Sequence, residues 1–208
     1  MLKLMFVSLF SFLLPIGDSS VNLLPELKPS IVQSNTGTQK KMIVANGSVT
    51  MELELGRLNQ AGVGTKLSGT RQLRFDAEPD SFFTILVFND ELRGPLPSSM
   101  KLLPKDFAIL PNKLTESYQR LVLESKEWGG QYDMVVRDGN SGLVLFNVEG
   151  HEFSFDSDKA LMDIKGGRLL LSDDFAALLG RPSDAGASVG QLSATATMKP
   201  IEVGANVS

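Results

Sequence analysis

The sequence predicts an all-β protein, an antiparallel β-sandwich or jelly-roll-like barrel with one short helix at about residues 173–179. Three observations predict it. Roughly ten apolar segments of strand length follow one another, most of them alternating apolar and polar residues with period two. Between them lie turn clusters such as Asp138-Gly139-Asn140-Ser141-Gly142. No strand–helix–strand rhythm and no internal repeat interrupts the series.

In chain order, Lys3 precedes an uncharged apolar run, Leu4–Leu14, closed by Pro15 and followed by Gly17, Asp18 and Ser19. That is the layout of a secretory signal peptide, so residues 1–19 are expected to be removed on export. The run is too short for a bilayer span, and the mature chain is expected to carry none. Residues 20–41 are polar with Pro25 and Pro29, and read as an extended leader. One β-rich domain is expected over 42–203, with 204–208 as a tail.

The domain opens with Val49, Met51, Leu53 and Leu55 alternating against Thr50, Glu52 and Glu54, and Arg71–Asp76 repeats the pattern through Leu73 and Phe75. Phe82–Phe88 is apolar on both faces except at Thr84, as a central strand would be. Leu92–Leu114 breaks the rhythm with Pro95, Pro97, Pro104 and Pro111. Proline confines a segment to edges and loops, yet this one is too apolar for a solvated linker. It is expected either to cap an open end of the sheet or to present Leu102, Leu103, Phe107 and Leu110 to a partner.

Tyr118–Ser125 resumes as a strand, and Trp128 and Tyr132 flank the Gly129-Gly130 turn as a candidate pair of ligand-stacking rings. Strands follow at Gln131–Arg137, Gly142–Val148 (central, apolar on both faces), His151–Phe155 and Ala160–Lys165. Gly166-Gly167 reads as a hairpin turn into Arg168–Leu171. Ser172 is placed to cap the helix, Asp173 and Asp174 sit in its first turn, and Gly180 ends it. Val189–Met198 is the last long strand, with small alanines at 194 and 196 on its inward face.

Chemistry is sparse. The chain has no Cys and net charge −4, which excludes disulfides, thiolate sites and a basic stripe for nucleic acid. His151 is the only histidine, so multi-histidine metal sites are excluded and any Ser/His/Asp arrangement has one possible base. Asp156 and Asp158 stand two apart in a loop, a weak Ca²⁺ pattern without the glycine and distal glutamate of an EF-hand. The composition points to an exported, secreted or periplasmic, non-enzymatic interaction module binding a protein, glycan or envelope partner. Two other readings fit the same sequence: an extracytoplasmic hydrolase using loop carboxylates, calcium-supported, and the N-terminal domain of a longer surface protein.

Overall fold

The structure is a computed structural model and describes residues 37–62, 66–127 and 130–201. The signal segment, most of the leader, Trp128 and the tail lie outside the described residues. The chain is all-β and antiparallel, and its centre is a closed barrel of eight strands.

The described residues form eleven strands: β1 (Gln39–Glu54), β2 (Thr70–Ala77), β3 (Thr84–Phe88), β4 (Glu91–Pro95), β5 (Ser98–Pro104), β6 (Leu121–Ser125), β7 (Met134–Asp138), β8 (Val144–Glu149), β9 (Glu152–Asp156), β10 (Leu161–Leu171) and β11 (Ser188–Pro200). Around the barrel the order is β1, β2, β5, β6, β7, β8, β10, β11, and β11 pairs back onto β1 from Met42↔Pro200 to Leu53↔Gly190. Three strands extend the sheet beyond the ring. β3 pairs with the first residues of β1, β4 with β3, and β9 with the first half of β10.

Period-two alternation decides which side chains enter. Val49, Met51 and Leu53 of β1 face inward with Leu73 and Phe75 of β2, Met100 and Leu102 of β5, Leu123 of β6, Val136 of β7 and Phe146 of β8, all buried. They belong to one continuous core that also takes in Ile85, Met162, Ile164 and Met198. The barrel is therefore solid, as an eight-stranded ring is when ordinary side chains fill it.

The helix reading holds in detail. α2 (Asp173–Leu178) is capped by the Ser172 hydroxyl, which accepts from the Phe175 N–H at 3.0 Å, and Gly180 follows with φ +72°. Phe175 enters the core edge-on to Phe146, centroids 5.8 Å apart. A second helix, α1 (Asn112–Ser117), begins after Pro111 and buries Leu114.

Two expectations are corrected. Gly166-Gly167 is not a hairpin turn: β10 runs straight through it, with a register shift against β11 between Ile164 and Gly167. A glycine pair serves a bulge as well as a turn, and Gly166, at φ +71°, supplies the bend that lets one strand serve two neighbours. Nor is Leu92–Leu114 only a cap, because it contains edge strand β4 and barrel strand β5. Three of its four prolines sit at strand ends, Pro95 and Pro104 as last residues and Pro97 just before β5, and Pro111 precedes α1.

The Ser125 hydroxyl is enclosed in this core with no hydrogen-bond partner among the described residues. An unpaired buried hydroxyl costs stability. Ser125→Ala is expected to raise stability by about 1 kcal/mol, read as a higher urea midpoint at unchanged slope; a drop would show that the hydroxyl is satisfied. Among the described residues, no helix is long and apolar enough to cross a membrane.

Candidate functional site

A cluster of polar side chains lies where β7 begins and β8 ends. Met134 pairs with Val148, so the preceding residue, Asp133, comes beside Glu149 at the rim. Gly150, at φ +68°, then turns the chain from β8 into β9. His151 follows, and alternation puts it on one face with Phe153 and Phe155.

The imidazole is packed, not exposed. Only 6% of the side chain is accessible, and its ring meets Phe153 edge-on at 5.0 Å, while Phe153 lies against Phe83 across the core. Gly167 makes room for Val148 beside it. A Cβ there would sit 2.8 Å from Val148 Cγ1 and 3.5 Å from His151 Cβ. His151 Nε2 faces Asp133 Oδ1 at 3.6 Å, too far for a hydrogen bond, and Nδ1 is buried without a partner. Together with Gln131, Tyr132 and Glu149 they line a hollow of about 330 Å³. Gln131 donates to the Tyr132 hydroxyl at 3.2 Å, and Glu149 is paired with the Arg168 guanidinium.

Among the described residues this arrangement does not form a Ser/His/Asp relay. A Ser/His/Asp relay needs one imidazole nitrogen on the carboxylate and the other on the nucleophile. Here Nε2 faces the carboxylate, Nδ1 points into the protein, and no hydroxyl amino acid other than Tyr132 lines the hollow.

The sequence-predicted partner residues divide by strand parity. Leu102 lies inside the barrel and Leu110 is also core, whereas Leu103 is 42% exposed and Phe107 91% exposed. Leu103 walls a larger outer groove of about 570 Å³ with Pro79 and Leu161, floored by Asn46, Ser48, Thr195 and Thr197. The groove forms where β2 leaves β1 after Ser48↔Asp76 and β3 takes its place at Ile43↔Thr84. Beyond β5 the Lys105 N–H donates to the Arg74 carbonyl at 2.9 Å and the Tyr118 hydroxyl to the Asp106 carbonyl at 2.8 Å. Burial, with the nearby Asp106 carboxylate, pushes the Tyr118 phenol up. The segment is thus pinned on both sides, with Phe107 and Ile109 left outside.

Tyr132 is partly exposed at the hollow, and Trp128 is outside the described residues. Asp156 closes a turn: its carboxylate accepts from the Lys159 N–H at 3.1 Å and from Lys159 Nζ at 2.6 Å, which lowers its pKa. Asp158 is two residues on in the same turn. Among the described residues, no three His, Cys, Asp or Glu side chains gather as metal ligands.

Sequence reading missed Gln131, Asp133 and Glu149 as neighbours of His151, along with exposed Ile109 and Phe82. The β7–β8 register was the signal for the first three, because a five-residue connection after Asp138 brings residues near 133 and 149 together. Compared with protein-family models, curated proteins and solved structures, the chain matches none.

Proposed function

We propose that this protein is an exported, non-catalytic binding module that holds a protein partner against the outside of its barrel along Leu103–Ile109. One observation carries this reading. Leu103, Phe107 and Ile109 stand exposed on a segment whose backbone is anchored by Arg74 and Tyr118, so the chain that carries them is held in place before a partner arrives. The solid interior supports the same view, because it leaves the outer wall as the place for recognition. An acidic chain disfavours nucleic acid as that partner.

The hydrolase alternative draws on His151, Asp133 and Glu149 sharing one hollow. Its weakness is chemical: the enclosed Nδ1 cannot reach a substrate, so the one nitrogen that faces Asp133 would also have to serve as the base.

The test is differential capture from extracytoplasmic extract by immobilised wild type, Leu103→Asp and Phe107→Asp. Both substitutions are on the surface, and their melting curves are expected to match wild type. A buried interface anchor is worth about 2 kcal/mol or more, so each aspartate should weaken the captured protein's binding at least ~30-fold. Equal capture by all three proteins would remove this segment from the interface.

A further inference from the structure

We propose that the hollow at His151 is a saccharide-binding site. Its ligand would be a neutral sugar ring with a hydroxyl that bonds both His151 Nε2 and Asp133, which at 3.6 Å do not bond each other. Sugar binding there is independent of the protein partner at Leu103, which lies on another strand.

The chemistry of the lining selects the ligand class. Asp133 and Glu149 on one rim repel anions. A strongly cationic ligand gains less than two carboxylates suggest, because Glu149 already holds Arg168 and Asp133 faces the imidazole. A metal ion would need a set of carboxylate and imidazole ligands that, among the described residues, is not assembled. What remains is a neutral molecule rich in groups that both donate and accept. The carboxylates accept, the Gln131 amide does both, and Tyr132 offers an aromatic face with a hydroxyl at its edge. The volume of about 330 Å³ suits a monosaccharide or the terminal ring of a longer glycan.

The geometry at His151 is specific to a hydroxyl. Nδ1 is enclosed with no acceptor beside it, so the favoured tautomer carries the proton on Nε2, which faces the hollow's Asp133. Nε2 and Asp133 Oδ1 are 3.6 Å apart, a gap too wide to close directly. One hydroxyl seated beside the pair, on the side of the hollow, can accept from Nε2–H and donate to Oδ1. Ring packing on Phe153 and burial at 6% accessibility hold the imidazole in place before the ligand arrives. His151 acts here as a fixed donor and has no part in proton transfer.

The full chain, labelled, would be applied to a printed array of microbial, plant and animal oligosaccharides beside Tyr132→Ala, Asp133→Asn and Phe107→Asp. Wild type and Phe107→Asp are expected to share a set of bound glycans that Tyr132→Ala and Asp133→Asn lose at least tenfold, with unchanged melting temperatures. Titration of the preferred monosaccharide, followed by nuclear magnetic resonance, should place the shifted amide signals at residues 130–133 and 149–151. His151→Asn is reserved as a second check, since its packed ring makes misfolding a risk that the two rim variants do not share. No glycan above background, equal binding by Asp133→Asn and Tyr132→Ala, or shifts confined to other strands would overturn the site. Retention of amine-bearing probes in place of sugars would overturn it too.

Discussion

Gly190→Ala is expected to lower stability by about 3 kcal/mol or more, placing it at the upper end of small-to-large substitutions. A Cβ at this position would lie 2.0 Å from the Glu52 carbonyl oxygen and 3.1 Å from Leu53 Cα. Both are backbone atoms, so no rotamer change relieves the clash. Only separation of β11 from β1 does, and that pairing is what closes the ring. The same seam is tight again at Gly47, where a Cβ would meet the Thr195 carbonyl oxygen at 2.7 Å. For a domain of this size such a loss corresponds to a drop of about 6–12 °C in melting temperature. Gly56→Ala is the control: its nearest neighbour would be 4.0 Å away, and little change is expected. A Gly190→Ala protein melting with wild type would mean that the seam is looser than these distances require.

Stability should also fall steeply in acid, with Asp138 as a main cause. Its side chain is 2% exposed at the start of the β7–β8 loop. Burial alone would raise its pKa; the Arg120 guanidinium at 2.8 Å, the backbone N–H groups of Ser141 and Asn140 and the Ser117 hydroxyl override that and hold it well below the usual carboxylate range. Between the folded value and the ordinary 3.8, the unfolded chain binds a proton that the folded chain does not. The contribution is therefore fully present above the unfolded value and is lost as pH falls below it towards the folded one. Asp138→Asn should cost about 2–3 kcal/mol at neutral pH, because hydrogen bonds to a charged group are replaced by weaker ones. The difference from wild type should narrow as pH is lowered from about 5 to 2. Denaturant titrations of both proteins across that range provide the check. Parallel curves would assign the acid sensitivity to other carboxylates.

How much of this could be read from the sequence follows from the range of each signal. The Ser172–Gly180 helix and the Asp138–Gly142 loop were legible because caps and turns depend on residues a few positions apart. Alternation put Leu73 with Phe75, and His151 with Phe153, on shared faces for the same reason. Barrel closure was not legible, since the β1–β11 pairing joins segments about 150 residues apart by backbone hydrogen bonds that carry no residue signature. Gly166-Gly167 misled because positive φ suits a turn and a bulge equally. Prolines misled over Leu92–Leu114, where they mark the ends of β4 and β5 and leave β5 free to pair. At the candidate site, His151 was visible as the single histidine, but its companions depended on the β7–β8 register. Leu102 and Leu103 differ only in parity, which became readable once β5 was known to be a strand.

Strands β1, β10 and β11 each continue from the barrel into the added sheet, so no flexible joint separates the two parts. The rim at Asp133 and the wall at Leu103 consequently act as marks on a ruler. A partner that carries both a glycan and an apolar protein patch would have to match that fixed spacing. If it does, the second contact forms at the high effective concentration of an intramolecular event, and two weak grips become one strong one.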